Sequence, residues 1–234
     1  MSWTAPASTG GGPLTSYIVT PYIGTSAQTP VVLAASATSA TIGGLSNGTS
    51  YTFTVTAANS AGSGPPSGAS AAVIPRDTIF NFATPPTINS GDTHAVELGV
   101  KFTSSVAGYV TGIRFYKAST NTGTHVGSLW SSTGTLLSSA TFTAETASGW
   151  QQVNLATPVA IAANTTYIAA YFAPKGDYSE TLSGFASAGF TNPPLSALAN
   201  SISANGVYAY SATPVFPSST YESTNYWVDL DFEP

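Results

Sequence analysis

Strict alternation of apolar and polar side chains constrains this chain more than any other feature. In residues 225–232 (NYWVDLDF), Tyr226, Val228, Leu230 and Phe232 fall on one face of an extended ribbon. Trp227, Asp229 and Asp231 fall on the other. Residues 96–102 repeat the scheme, with Val96, Leu98, Val100 and Phe102 opposite Glu97 and Lys101. A period of two predicts strands with one buried face, so the closing octapeptide is expected inside a β-sandwich whose first and last strands can pair. Residues 109–117 (YVTGIRFYK) put Ile113 and Phe115 inward, Arg114 and Tyr116 outward, and residues 127–131, 135–143, 151–155, 159–161 and 167–172 continue the pattern. Strands at this spacing predict an all-β sandwich or jelly roll. The single helical signal is a short turn at 194–200, opened by proline.

Charge divides the chain. Residues 1–75 contain no Asp, Glu, Lys, Arg or His; the first charges are Arg76 and Asp77. The break predicts a first domain over 1–75, a linker over 76–78 and a second domain over 79–234. In the first domain, residues 16–22, 31–34, 40–42 and 51–57 read as short strands between Gly, Pro, Asn and Ser turns. In the second, residues 173–225 form a long stretch rich in Gly, Asn, Pro and Ser that carries Tyr178, Phe185, Phe190, Tyr208, Tyr210, Phe216 and Tyr221. Its aromatic content predicts an ordered loop layer packed on one side of the sandwich.

Composition narrows function by exclusion. A net charge of −5 with five scattered cations excludes a nucleic-acid surface. The absence of cysteine excludes disulfides and thiolate metal sites. No apolar run approaches the ~18 residues of a membrane span, and an export signal, for a secreted parent, is expected outside this stretch. Charged residues are 6% of the chain against about 25% in ordinary globular domains, so the outer faces are expected to be polar but uncharged.

Two resemblances follow from particular residues. Ser2-Trp3-Thr4-Ala5-Pro6, Tyr17-Ile18-Val19, residues 45–55 (LSNGTSYTFTV) and Ala58-Asn59-Ser60-Ala61-Gly62 resemble a fibronectin type III domain. The resemblance implies that Trp3 is a core indole and that Leu45 and Tyr51 form the tyrosine corner. It also places the family's first strand before Ser2, so the domain is expected to lack that strand and to belong to a longer polypeptide, as an uncharged spacer. The second unit resembles an uncharacterised bacterial domain of unknown function over 78–232. The matching residues are Ser90-Gly91-Asp92, 96–102 (VELGVKF), 108–117 (GYVTGIRFYK), 123–130 (GTHVGSLW), 149–153 (GWQQV), Ala173-Pro174, 206–210 (GVYAY) and 225–229 (NYWVD). That resemblance implies an extracellular module and brings no activity with it.

Candidate sites are few. Asp229 and Asp231 share one strand face, about 6.5–7 Å apart, where Lys101 and Arg114 would make a surface charge ladder of them. A structural calcium ion (Ca2+) would use Asp92, Glu97 and Asp229 with backbone carbonyls. His125, flanked by glycines in Gly123-Thr124-His125-Val126-Gly127, can meet a sugar or carboxylate at a loop surface, whereas His94 is expected to be simply exposed. Aromatic residues outside the alternating core positions are the ligand candidates: Tyr178, Tyr208, Tyr210, Tyr221 and Trp227. Trp130 and Trp150 each flank a strand and are expected in the core. No Gly-x-Ser-x-Gly elbow occurs. The sequence therefore predicts a non-catalytic extracellular module that binds polysaccharide or cell-surface glycan. A purely structural stalk is one alternative. A glycan-active enzyme is the other, and it needs two of Asp177, Glu180, Asp229 and Asp231 to converge with His125.

Overall fold

A computed structural model describes all 234 residues, in two compact units, Met1–Pro75 and Arg76–Pro234. Both are all-β. No helix is long and apolar enough to cross a membrane.

The first unit contains β1 (Leu14–Ile23), β2 (Ser26–Ala27), β3 (Val31–Ala34), β4 (Thr52–Asn59) and β5 (Gly62–Ser63). Antiparallel β1 lies between β4 and the short strands β2 and β3, and β5 extends β4. Tyr17 and Val19 point from β1 into a small core with Tyr51 and Phe53, onto which Trp3, Leu33, Ile42, Leu45 and Val55 pack. The Tyr51 hydroxyl accepts the Ser46 N–H at 3.1 Å, which makes the tyrosine corner. Residues 40–42 do not form the expected strand. Their neighbourhood offers one bridge, Ser2 to Ser39, so no ladder propagates.

The second unit contains β6 (Val96–Ser104), β7 (Gly108–Lys117), β8 (Val126–Ser131), β9 (Leu136–Thr141), β10 (Gly149–Ile161), β11 (Tyr167–Ala173), β12 (Phe190–Asn192), β13 (Leu195–Ala197), β14 (Val207–Tyr210), β15 (Ser219–Thr220) and β16 (Val228–Glu233). A small sheet runs β10-β7-β16. A large one runs β12-β13-β6-β11-β8-β9, with β14 sharing one edge of β6 with β13 and carrying β15. The chain passes back and forth between the sheets in a jelly-roll-like manner. Between them lie Val96, Leu98, Val100 and Phe102 from β6, Ile113 and Phe115 from β7, Tyr171 from β11, and Val228, Leu230 and Phe232 from β16. Phe115 and Tyr171 stack at 4.0 Å across the core.

Several sequence expectations change here. β16 pairs with β7, from Val228 opposite Phe115 to Glu233 opposite Tyr109, and not with β6. Two ribbons with the same greasy face bury it best against one another, so β6 and β16 lie in facing sheets. The free edge of β16 is taken by Asp77, which exchanges both backbone hydrogen bonds with Phe232 (3.0 and 2.9 Å). Residues 76–78 are thus pinned to the second unit rather than acting as a linker, and Arg76 pairs with Glu233 at 3.2 Å. Residues 195–197 form a strand instead of a helical turn, because their backbone finds partners in residues 102–104. Four short strands, β12 to β15, organise what the sequence presents as one loop layer.

Parts of both outer faces are buried too. Residues 78–83 strap across the small sheet: Asp229 accepts the Ile79 N–H at 2.7 Å and the Phe80 N–H at 3.1 Å, and the Trp150 indole donates to Ala83 O at 2.9 Å. On the large sheet, Trp130, Ile168, Ala170 and Val207 form a second apolar layer with Phe216 over it. Glu97, Arg114, Asp229 and Asp231, which alternate with core residues, are therefore interior, whereas Gln152 and Asn154 stay exposed.

Candidate functional site

The site grows from β14. Tyr208 and Tyr210 stand opposite Leu98 and Val96, on the same side of the large sheet as the core. The small sheet has only three strands, so these rings lie beyond its cover. A row of edge-to-face contacts results: Tyr178 to Tyr226 at 5.6 Å, Tyr226 to Tyr208 at 6.4 Å, Tyr208 to Tyr210 at 5.6 Å, and Tyr210 to His94 at 5.9 Å. The row climbs out of the protein. Tyr178 and Tyr226 are buried, Tyr208 is half-buried, and Tyr210 is 57% exposed. Tyr221, 54% exposed, lies within electrostatic reach of Tyr208 and Glu180.

Asp92 fixes the exposed end. One carboxylate oxygen accepts the His94 N–H at 3.0 Å and faces His94 Nδ1 at 2.7 Å. The other accepts the Tyr210 hydroxyl at 2.6 Å and the Tyr178 hydroxyl at 3.4 Å. Burial opposes its charge, yet the bonds from Tyr210 and His94 outweigh burial and hold the carboxyl below its ordinary range. The same bond pushes the Tyr210 phenol up to about 12. Burial, with Asp92 nearby, raises Tyr178 further. Gly176 makes this geometry possible: its φ is +64°, and a Cβ there would overlap the Asp92 carbonyl oxygen. Beside Tyr210 opens a depression of about 460 Å3 lined by His94, Ala95, Tyr210, Ser211 and Ala212.

Four of the candidate ligand aromatics, Tyr178, Tyr208, Tyr210 and Tyr221, thus gather at one end of the fold. Two other candidates do not join them. Trp227 is interior: its φ of +55° places it just before β16, its indole donates to Thr181 Oγ1 at 2.9 Å, and it packs on Phe80 at 5.4 Å. His125 is also fully buried. Its Nδ1 lies 2.8 Å from Glu145 and its Nε2 lies 2.8 Å from Asn121 Oδ1, while Lys117 holds Glu145 at 2.6 Å. Burial lowers its pKa against the pull of Glu145.

The three acids expected to hold a metal are dispersed. Glu97 and Asp229 project from the outer faces of opposite sheets, with the core between them, and Asp92 is occupied by His94 and tyrosines. No three His, Cys, Asp or Glu side chains are grouped as a metal ion needs. Asp92, Glu97 and Asp229 therefore do not fit Ca2+, which takes six to eight oxygens. The surface charge ladder is likewise corrected, since Asp229 and Asp231 are buried under the strap and burial pushes Asp231 up to about 6. Neither approaches His125. Glu180 lies by the tyrosine row, its carboxyl raised by burial and then by Asp92 and Glu222.

His94 was not legible as part of the site. Asp92-x-His94 after Ser90-Gly91 is a local signal for an Asx turn, in which the aspartate accepts the N–H two residues on. Nothing local announces Tyr210 as its third partner.

The molecule is an all-β tandem whose second unit ends in a tyrosine row braced by Asp92 and flanked by Glu180. Residues 1–73 match the fibronectin type III domain. Residues 82–228, well over half of the chain, match a domain of unknown function, DUF4082, and the chain belongs to that family.

Proposed function

We propose that the chain is a non-catalytic accessory module of an extracellular protein that holds polysaccharide or cell-surface glycan against Tyr208, Tyr210, Tyr221 and His94. One observation carries this reading: the exposed Tyr210 ring is locked by a 2.6 Å hydrogen bond to Asp92 instead of lying free on the surface. A ring held in place stacks on a sugar without losing rotamer entropy on binding. Charged side chains are scarce, which suits a neutral ligand. The first unit serves as spacer.

Retention on a panel of insoluble polysaccharides tests the reading. The whole chain is expected to bind one of them, and Tyr210→Ala to weaken that binding about tenfold, the effect of losing more than about 1 kcal/mol of anchor contact. Tyr210 is exposed, so the loss of its bond to Asp92 should lower the melting temperature by no more than a few degrees. Binding to none of the panel would favour the purely structural stalk.

A further inference from the structure

We propose that the depression beside Tyr210 receives the acetamido group of an N-acetylated hexosamine, so that the polysaccharide held is built from such sugars. This rests on the carbohydrate reading above and names its substrate class.

An acetamido group offers a methyl, an N–H donor and a carbonyl acceptor, and the depression has a counterpart for each. Ala95 and Ala212, the two apolar residues of the lining, flank Tyr210 and provide the surface for the methyl. The Ser211 N–H donates to Ala95 O at 3.2 Å, which ties the two alanine-bearing segments together. His94 supplies the acceptor. Its Nδ1 faces an Asp92 carboxylate oxygen at 2.7 Å, and a carboxylate only accepts, so Nδ1 carries the proton. In the neutral ring Nε2 then keeps its lone pair, on a side chain 81% exposed. Ser211 supplies the donor. Its Oγ already accepts the Thr213 N–H at 3.2 Å, leaving the hydroxyl proton for a ligand carbonyl.

A plain hexose presents a hydroxyl where the acetamido group would sit. That hydroxyl brings no methyl group to Ala95 and Ala212, and it is too short to reach His94 Nε2 and Ser211 Oγ together, so it forgoes the apolar contact and one of the two hydrogen bonds. Discrimination of about tenfold or more therefore follows from the lining alone.

Calorimetric titration of the whole chain with chitohexaose and with cellohexaose tests the proposal, since the two share a backbone and differ in the acetamido group. The expected result is at least about tenfold tighter binding of chitohexaose. Ala212→Leu fills the depression from an exposed position and should erase the preference with little change in melting temperature. Retention on chitin and on purified peptidoglycan sacculi, which carry the same group, separates the two sources, and binding to either supports the proposal. Equal binding of the two hexaoses, or preference for cellohexaose, overturns it while leaving the carbohydrate reading intact. Failure to bind any carbohydrate removes both.

Discussion

Asp229→Ala is expected to destabilise the second unit by about 3–5 kcal/mol, the usual cost of stranding one partner of a buried ion pair. The carboxylate has no exposure. It accepts the N–H groups of Ile79, Phe80 and its own neighbour Leu230 and lies 3.5 Å from the Arg114 guanidinium. Arg114 is itself buried, stacked at 4.6 Å over Trp150 and bonded to Asn81 O at 3.1 Å. Alanine would leave that charge with Asp231 alone for a counter-ion, and two strap N–H groups without an acceptor. Asp229→Asn keeps an acceptor oxygen and should fall between the parent and alanine. Urea unfolding followed by tryptophan fluorescence measures the effect, because Trp150 and Trp227 both pack at this strap. A loss below about 1 kcal/mol, ordinary for a single hydrogen bond, would mean that Asp229 does not anchor residues 78–83.

Glu97→Gln is expected to do the opposite, and to do it in a pH-dependent way. Glu97 projects from β6 into the layer over the large sheet, fully buried, and neither carboxyl oxygen has a hydrogen-bond partner of good geometry. Burial raises its pKa from 4.5 to about 8, against a weak pull from the Val215 backbone. The folded state therefore prefers the neutral acid. In the unfolded chain the group ionises near 4.5, so the fold carries no penalty below that pH. The penalty grows as pH rises towards 8, where it amounts to a few kcal/mol at about 1.4 kcal/mol per pH unit. A neutral isostere removes it. The melting temperature of Glu97→Gln should match the parent at pH 4 and exceed it by several degrees at pH 8. Glu97→Met, of similar volume and without polar atoms, should behave alike. Equal melting temperatures at pH 8 would show that Glu97 has a partner that stabilises its charge.

These two acids also show how far the sequence could be read. Alternation located β6, β7, β8, β11 and β16 to within a few residues, because a period of two survives whatever covers the strand. Alternation could not say which ribbon pairs with which, since Val228, Leu230 and Phe232 fit a neighbour in the sheet and a neighbour across the core equally well. It also could not say that Glu97, Asp229 and Asp231 are interior. Their covers, residues 78–83 and the segment around Phe216, have no period of their own and find their places only once the sheets exist. The site was half legible for the same reason. Tyr178, Tyr208 and Tyr210 stood out as aromatics outside the core pattern, and the structure sets them in one row. Their link to Asp92 spans 118 residues for Tyr210, and no local signal reaches that far. His125 and Trp227 carried the residue types of a ligand site. One is spent on Glu145 and Asn121, the other on Phe80 and Thr181.

The claim that the Asp92-braced end of the second unit is the glycan-contacting surface is tested most directly by an NMR titration of the whole chain. The titrant is a soluble fragment of whichever polysaccharide retains it. The His94 imidazole signals and the backbone amides of Tyr210, Ser211 and Ala212 are expected to move together with one affinity, while those of residues 1–75 stay in place. A bound fragment that leaves His94 and Tyr210 unmoved, and perturbs the first unit or the β9 edge instead, would contradict it.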